Sequence, residues 1–508
     1  MSSSEFILSV DIGTSATKAV LYDTDARPVA VIRKTNPILV PQGGWSEQDP
    51  QEVFKAVAEA IREAAAEVPQ GSKLLALAFS AQIYSVLAVD SSGNPLTNSL
   101  TWFDTRSAQE AQLLRGHPDA KDIHLRTGCP VDAIYPLAKI HWIKRNVDLP
   151  PDARFVSIKE FIISRLIGRD VVDWSTASST GFFNVHSYRW DEPALSMLSI
   201  SPQNLSEPVT PRQVFAHWRG GIPASLGIPS QTPLVIGGAD GPLASLGVGA
   251  YRPNTLAVNV GTSAAARLLI REPACDPDGR LWTFVADEGL WVIGGIVSSG
   301  GYVYEWFLNR FFADLEGKLE GELHRQAHAY AEKLAESVPP GAEGLYFIPY
   351  LGGEQCPAWD PNTRGIFYGL DFSHGRQHFT RSVLEGITFS IYRVAECIRS
   401  TFDIQFEGVC VTGGLSASPN WLQIAADIFG SPVLVPQSVE GSARGAAMLA
   451  LIALGKRLDY ADFPSLDKKA LEPGEEAHIH YQDQYQVFLK LVESTKSSRF
   501  AQKQEELK

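Results

Sequence analysis

The chain has 508 residues, of which 44% are hydrophobic and 20% are charged, a composition typical of globular rather than disordered or fibrous proteins. Its formal net charge of -13 argues against a general nucleic-acid or anionic-membrane surface, although a local cleft for phosphates stays compatible with it. A chain of this length forms two domains more readily than one, and we place them at residues 1–248 and 249–508.

The cysteines and the apolar runs indicate the cellular location of the protein and the kind of partner it binds. The five cysteines are scattered and contain no CxxC pair, so we expect reduced thiols and a cytoplasmic protein. The first apolar run is too short for a signal peptide, and no stretch approaches the roughly 20 apolar residues that span a bilayer. We therefore expect a small-molecule partner, with no nucleic acid and no membrane. A homodimer is possible, and the sequence does not determine the oligomeric state.

The first predicted element is a β-hairpin that occurs twice. SVDIGTSATKAVL at residues 9–21 returns as AVNVGTSAAARLL at residues 257–269. In each copy two apolar runs flank Gly-Thr-Ser, which predicts two strands joined by a tight turn. Either copy alone is also explained as an ordinary hairpin. The pair, at near-domain spacing, favours two facing phosphate turns that form a nucleotide cleft.

The two turns are candidate phosphate sites because glycine, backbone N–H groups and hydroxyls approach phosphate oxygens without bulky side chains. Asp11 precedes the first turn, where the second copy has Asn259. A carboxylate beside phosphates suits Mg²⁺ bound through water, so the first hairpin is the predicted metal side. The candidate ATP-binding residues of the turns are Gly13, Thr14, Ser15, Gly261 and Thr262.

Polar residues then interrupt the predicted strands. Residues 74–90 are predicted to form two strands that meet at a polar centre, and in TWFDTRS every second residue could share one face of an extended segment. Polyol recognition uses such donors and acceptors, but these side chains could equally satisfy one another. The candidate substrate-binding residues are Gln82, Tyr84, Asp104 and Arg106.

A carboxylate follows the last strand of the first half. The apolar run at residues 234–239 leads into a glycine-rich turn that carries Asp240, and α/β folds keep their chemistry at strand ends. Phosphoryl transfer to an alcohol needs a carboxylate that accepts the hydroxyl proton. Asp240 is therefore the candidate general base, with a loop-capping carboxylate as the alternative.

Strands and helices alternate through the second half, which predicts an α/β fold. The predicted helices include residues 302–312, 318–337 and 378–400. A buried strand ends at Gly413-Gly414, which is explained either by tight packing or as a wall on which adenine lies. The paired phosphate turns favour the second explanation. The chain contains no P-loop, HExxH or GxSxG motif.

Over about residues 6–456, the chain resembles the FGGY carbohydrate kinases of the actin/Hsp70/sugar-kinase superfamily. The most specific match is GIFYGLDFSHGRQHFTRSVLEG at residues 365–386, and residues 136–146 match the N-terminal signature, from which Ile134 departs. The resemblance implies two ribonuclease-H-like, actin-like ATPase domains with ATP and sugar between them. It also implies that Asp240 is the base, that Gly413 and Gly414 bind adenosine, and that ATP acts with Mg²⁺.

The resemblance indicates the reaction more firmly than the sugar. DWSTASSTGFFNV at residues 173–185 and IGGADGPLASLGVGA at residues 236–250 resemble the gluconate kinase branch, with xylulose kinases as the alternative. Ile83-Tyr84-Ser85 departs from the more usual Met-His followed by a small residue. We expect ATP-dependent phosphorylation of a terminal hydroxyl, with gluconate as the first candidate. An actin-like or chaperone-like ATPase switch without a sugar is the alternative from another class.

Overall fold

The computed structural model describes residues 4–312, 321–436, 440–466 and 468–496. The chain forms two compact units, each made of segments that are distant in sequence. The first contains Met1–Arg252, Leu269–Ile293 and Ser438–Ser465, and the second contains Pro253–Leu268, Gly294–Gln437 and Leu466–Lys508. The domain boundary placed at residues 248 and 249 lies near the first change of unit and stays a prediction.

The strands follow one another from the N-terminus in this order: β1 Glu5–Ile12, β2 Ala16–Asp23, β3 Pro28–Thr35, β4 Glu47–Gln48, β5 Lys73–Ala81, β6 Leu87–Val89, β7 Ser99–Leu100, β8 Arg154–Val156, β9 Val171–Asp173, β10 Phe183–Asn184, β11 Arg189–Trp190, β12 Glu207–Val209, β13 Val214–Phe215, β14 Leu234–Ala239, β15 Thr255–Val260, β16 Ala264–Ile270, β17 Trp282–Asp287, β18 Leu290–Val297, β19 Tyr346–Ile348, β20 Ile366–Tyr368, β21 Gly408–Gly413, β22 Val433–Pro436 and β23 Lys468–Leu471.

The α-helices are α1 Pro50–Ala66, α2 Ala108–Arg115, α3 Ala120–Thr127, α4 Pro136–Asn146, α5 Ile158–Ile167, α6 Trp174–Ser178, α7 Glu192–Met197, α8 Ile222–Leu226, α9 Asp240–Gly247, α10 Gly301–Phe311, α11 Gly321–Glu336, α12 Arg376–Phe402, α13 Pro419–Phe429, α14 Gly441–Ala453 and α15 Glu475–Lys496. None of the helices in the described parts of the chain combines the length and the hydropathy that crossing a bilayer requires.

The first unit is built on a six-stranded sheet in the order β13-β14-β5-β1-β2-β3. Strand β1 is antiparallel to β2 and parallel to β5, and β14 runs parallel to β5. Side chains alternate across β1, so that Leu8 and Val10 join one buried cluster while Ile7 joins another. Helices α1 and α5 contribute to the first cluster and α9 and α14 to the second, which gives an α/β/α arrangement.

Helix α1 shows how the sequence determines one of these layers. Asp49 caps the helix, because its carboxylate accepts a 2.8 Å hydrogen bond from the Gln51 backbone N–H, and Pro50 occupies the first turn. Val53, Val57 and other apolar residues at helical spacing are buried against the sheet. The start of α1 and its buried face therefore both follow from the local sequence.

The second unit repeats the central arrangement of the first. Its strands lie in the order β16-β15-β21-β22-β23, with β15 antiparallel to β16 and parallel to β21. The order β16-β15-β21 matches β2-β1-β5, so both copies of the repeated phrase are hairpins beside a parallel strand. Helix α12 covers the predicted residues 378–400. Of the helix predicted at 318–337, residues 318–320 lie outside the described parts of the chain.

Candidate functional site

The turn of the first hairpin is a three-residue connection between β1 and β2. The Gly13 N–H donates to the Ala16 carbonyl at 3.1 Å, and a Cβ on Gly13 would lie 2.9 Å from that oxygen. The Thr14 hydroxyl donates to the Gln82 side-chain oxygen at 2.7 Å and accepts from the Trp102 indole N–H at 3.1 Å. Ser15 is exposed. The turn therefore offers a phosphate its backbone and the Ser15 hydroxyl.

Asp11 lies two positions before Gly13, opposite Ser80 on β5 and Lys18 on β2. Burial raises the pKa of the Asp11 carboxyl, Ser80 and Lys18 lower it, and Glu440 raises it. Lys18 forms an ion pair with Glu440. Asp11 Oδ1 is buried and has no hydrogen-bond partner among the described residues. This unmet acceptor fits a cation or a water bound to one.

The kind of metal that fits follows from the number of ligands. The described residues contain no group of three or more His, Cys, Asp and Glu side chains that could hold an ion. Ca²⁺ usually takes many protein oxygens, whereas Mg²⁺ keeps several waters and binds through one or two carboxylates and substrate phosphates. A single carboxylate beside a phosphate turn therefore suits Mg²⁺ bound through water.

The second hairpin replaces the carboxylate with an amide whose hydrogen bond is already made. Asn259 donates to the Thr412 hydroxyl at 3.0 Å, across to the neighbouring parallel strand. The Gly261 and Thr262 carbonyls accept from the first two N–H groups of α10 at 2.7 and 3.0 Å. Gly261 and Thr262 are exposed. This turn is the neutral counterpart of the first, as the sequence predicts.

A cavity of about 570 Å³ opens beside this second turn, within the second unit. Gly261, Thr262 and Gly414 line it, so three of the predicted nucleotide residues meet at one surface. Gly413 has a φ of +82°, and a Cβ there would lie 2.3 Å from the Val260 carbonyl. A Cβ on Gly414 would lie at an ordinary 3.5 Å from the same oxygen. Gly413 thus serves tight packing, while Gly414 forms part of the cavity wall.

Sequence reasoning missed the other wall of this cavity, which α10, α11 and α13 provide. His328 Nε2 lies 2.9 Å from the Glu305 carboxylate. Glu332 accepts a 2.6 Å hydrogen bond from the Asn420 backbone N–H, at the start of α13. His328 and Glu332 are four residues apart on α11, whose sequence is so polar that it predicts a solvated helix. Tyr304 and Trp421, which line the same cavity and are buried, are the kind of residue that an apolar pattern does indicate.

Asp240 is the first residue of α9 and directly follows β14. The prediction of a flexible turn here was wrong, because the chain passes straight from strand to helix. The Asp240 carboxylate accepts a 2.8 Å hydrogen bond from the Gly241 N–H, and its side chain is half-buried. The Gly238 carbonyl, two residues earlier, accepts from Lys159 Nζ at 3.0 Å. A carboxylate at a strand end is therefore firmly positioned by the first unit.

The polar centre between β5 and β6 places Gln82 and Tyr84 in different surroundings. Gln82 is 2% exposed, and both ends of its amide are bonded, to Thr14 and to Gln48. The Tyr84 backbone has a φ of +66°, and the Tyr84 ring packs edge-on against Tyr135, with ring centres 5.1 Å apart. Its carbonyl accepts from Lys139 Nζ at 2.9 Å. The sugar-binding roles of Gln82 and Tyr84 stay predictions.

Asp104 and Arg106 form a buried ion network. Arg106 Nη2 lies 2.7 Å from the Asp104 carboxylate and 2.6 Å from Glu47, and its guanidinium lies 3.6 Å from the Trp45 ring centre. The extended segment predicted for TWFDTRS was wrong, since the Asp104 N–H closes a turn onto the Thr101 carbonyl. The two side chains satisfy one another, which was the alternative explanation. Sugar contact by either stays a prediction.

Known proteins with similar sequences are carbohydrate kinases. Residues 6–247 match the N-terminal domain and residues 256–454 the C-terminal domain of the FGGY family of carbohydrate kinases. The chain is 37% identical over 453 residues to a gluconokinase from Bacillus subtilis, covering 89% of this chain and 88% of that protein. It is 28% identical over 512 residues to a xylulose kinase from Staphylococcus epidermidis, with 97% of each chain covered.

Two crystal structures from Lactobacillus acidophilus share the fold over almost the whole chain. A gluconate kinase superposes with a TM-score of 0.91 at 31% identity, covering 98% of this chain and 99% of that one. A ligand-bound xylulose kinase superposes with a TM-score of 0.90 at 31% identity, covering 97% and 99%.

The structure is therefore that of a two-domain α/β sugar kinase, with the actin-like ATPase fold predicted from the sequence. The chain belongs to the FGGY family of carbohydrate kinases. It is a phosphotransferase that acts on an alcohol group, with ATP as co-substrate and a sugar or sugar acid as acceptor.

Proposed function

We propose that the enzyme transfers the γ-phosphoryl group of ATP to a terminal hydroxyl of gluconate. The support is the 37% identity to a gluconokinase over most of the chain, against 28% to a xylulose kinase. D-xylulose is the second candidate, because the xylulose kinase structure resembles this one as closely as the gluconate kinase structure does. We further propose that the enzyme acts in the cytoplasm, with a homodimer as the assembly that light scattering would test.

The observation that carries the proposal is the position of Asp240 at the junction of β14 and α9. There its carboxylate lies at the N-terminus of a helix, where the helix dipole favours the negative charge that a proton acceptor needs. We propose that Asp240 removes the proton of the attacking hydroxyl. Gly261 and Thr262 would hold the phosphates of ATP, and Gly414 would lie against its adenosine.

Asp11 is the residue we propose for Mg²⁺, through water. A bound Mg²⁺ neutralises the charge on the phosphates. Asp11→Asn keeps the shape of the side chain and removes its charge, so the mutant should need a much higher Mg²⁺ concentration for half-maximal rate. Titration of activity with Mg²⁺ at saturating ATP measures this, and an unchanged Mg²⁺ requirement would remove the metal role from Asp11.

The substrate is tested by ADP release over gluconate, D-xylulose, ribulose, glycerol and erythritol. We expect gluconate to give the highest kcat/KM, with little ATP turnover when no acceptor is present. A higher kcat/KM for D-xylulose would replace gluconate with the second candidate. Brisk ATP hydrolysis that no acceptor stimulates would instead favour an ATPase switch.

A further inference from the structure

The last two residues of β14 are held by side chains from two neighbouring helices. The Gly238 carbonyl accepts from Lys159 Nζ on α5 at 3.0 Å, and the Ala239 N–H donates to Ser175 Oγ on α6 at 3.1 Å. Lys159 is 1% exposed and Ser175 is fully buried. Asp240 is the next residue. The backbone that leads into Asp240 is thus fixed by both its carbonyl and its amide.

These two anchors belong to one buried network. Lys159 Nζ also binds the Asp173 carboxylate at 2.7 Å, and Asp173 caps α6 by accepting from the Thr176 N–H at 2.8 Å. The network therefore joins α5, β9 and α6 to the end of β14. Because Asp173 and Lys159 are both buried, their pairing removes the cost of an isolated internal charge.

A β-bulge in β14 lies directly before these two anchors. The register of β14 against β5 shifts between Val235 and Gly238. Gly237, inside the bulge, has a φ of +69°, and a Cβ there would lie 1.8 Å from the Phe79 carbonyl. Bulges turn the side chains that follow them, and this one lies just before Asp240. Beyond the bulge, Gly238 and Ala239 pair again with Ser80 and Ala81 of β5, so the two side-chain bonds add to the sheet pairing just before Asp240.

We infer that Ser175 and Lys159 are positioning residues for phosphoryl transfer, and the inference rests on the proposed role of Asp240. They act by holding the Gly238 and Ala239 backbone, which aims the Asp240 carboxylate at the acceptor hydroxyl. Neither residue takes part in proton transfer itself. Misplacing a reacting group by about 1 Å can lower a rate about 100-fold, so a modest loosening here should be visible in kcat.

Ser178 provides a matched control for Ser175. Both serines lie on α6 and are fully buried, and each Oγ accepts from the backbone N–H of a strand. Ser178 accepts from Val285 on β17 at 3.0 Å, whereas Ser175 accepts from Ala239. Ser175→Ala and Ser178→Ala therefore both remove a hydroxyl that accepts from a strand N–H, but only the first bond is next to Asp240. Ser178→Ala also removes a 2.8 Å bond from its hydroxyl to the Ser175 carbonyl, so it is the more severe change to α6. Lys159 is unsuitable for the test, because its removal would leave Asp173 buried and unpaired.

The test measures kcat, both KM values and Tm of the full-length enzyme for wild type, the two serine variants and Asp240→Asn. We expect Ser175→Ala to lower kcat about tenfold or more, with KM for ATP and acceptor within twofold. Ser178→Ala, which removes two bonds, should lower Tm at least as much and keep kcat within twofold.

Equal kcat values in the two serine variants would overturn the inference, whether both fall or both hold. If Asp240→Asn is inactive at the same time, only the positioning role fails. If Asp240→Asn keeps full turnover, the proposed base itself is wrong, and the positioning role falls with it.

Discussion

The Thr14 hydroxyl donates a 2.7 Å hydrogen bond to the side-chain oxygen of Gln82, a residue 68 positions further along the chain. The Gln82 amide in turn donates to the Gln48 side chain at 2.7 Å, and Gln48 donates back to the Thr14 carbonyl at 2.8 Å. The three residues close a ring of hydrogen bonds. A residue predicted to bind sugar thus holds the turn predicted to bind phosphate.

Breaking this ring at Gln82 should affect the nucleotide as well as the acceptor. Gln82→Leu removes both bonds of the amide and leaves buried partners unsatisfied, which should lower the free energy of unfolding by about 1–3 kcal/mol. Because the Thr14 turn is loosened, KM for ATP should rise. Thr127→Val, which removes an equally buried bond to the Ile123 carbonyl, should lower stability without changing that KM. Urea unfolding measures the stability of both variants, and steady-state kinetics measures their KM for ATP. An unchanged KM for ATP in Gln82→Leu would mean that the ring of hydrogen bonds does not affect nucleotide binding.

The cavity beside Gly414 can be filled without straining the backbone. A Cβ at Gly414 meets only an ordinary contact, so Gly414→Val should fold normally while its methyl groups occupy space we assign to adenosine. KM for ATP should rise about tenfold or more, which corresponds to about 1.4 kcal/mol of binding free energy. Gly220→Val adds the same side chain at an exposed position of the first unit with nothing within 4 Å, and it should leave that KM unchanged. Unaltered ATP kinetics in Gly414→Val would place the nucleotide elsewhere.

Lys139 should make stability depend on pH. It is fully buried, and burial lowers the pKa of its ammonium from 10.5 to about 7, against the opposing effect of Asp104. Between those values the unfolded chain binds a proton that the folded protein does not, so stability contributed here rises with pH and is lost as pH falls towards 7. Relative to Lys139→Met, wild type should gain up to ~1.4 kcal/mol per pH unit above neutrality.

Urea unfolding of wild type and Lys139→Met at several pH values between about 7 and 9.5 measures that difference. A difference that stays constant over this range would mean that Lys139 remains protonated in the folded enzyme. Lys139 donates to the Tyr84 and Thr101 carbonyls, which both forms of the amine can do, so the fold itself should persist.

The phenol of Tyr84 should matter to the acceptor and not to ATP. Tyr84→Phe keeps the ring packing against Tyr135 and removes only the hydroxyl, so the acceptor KM should rise about tenfold, the value of one hydrogen bond. Tyr188→Phe is the control, since Tyr188 also has a positive φ and a ring packed on Trp174, with centres 4.2 Å apart. It should leave both KM values as they are. An unchanged acceptor KM in Tyr84→Phe would restrict Tyr84 to packing.

The repeated hairpins could be predicted from sequence because short-range features determine them. Apolar runs make the strands, and Gly13 and Gly261 allow the tight turns between them. The start of α9 could not be predicted in this way. Its residues around Asp240 are typical of a turn, but the helix packs closely against α14. A Cβ on Gly445 of α14 would lie 2.0 Å from the Leu243 carbonyl, and a Cβ on Gly247 of α9 would lie 1.9 Å from the Gly441 carbonyl.

The nucleotide cavity, too, could be predicted only in part from the sequence. Gly261 and Gly414 are found by their motifs, because glycine next to a strand end marks a close backbone approach. Glu332 has no such signal, since it lies on a polar helix and becomes part of the site only when α11 meets the start of α13. The alternating residues of TWFDTRS predicted an extended segment, and this prediction was wrong for a related reason. A distant backbone group, the Ser46 N–H, binds Asp104 at 2.7 Å and favours a turn there.

The proposed role of Asp240 is that of the base for phosphoryl transfer from ATP to gluconate. Its most direct test is the rate of gluconate-dependent ADP release by wild type and Asp240→Asn, each at saturating ATP and Mg²⁺. We expect rapid release by wild type and loss of most of it in Asp240→Asn, with nucleotide binding and Tm nearly unchanged. Full turnover in Asp240→Asn would contradict it.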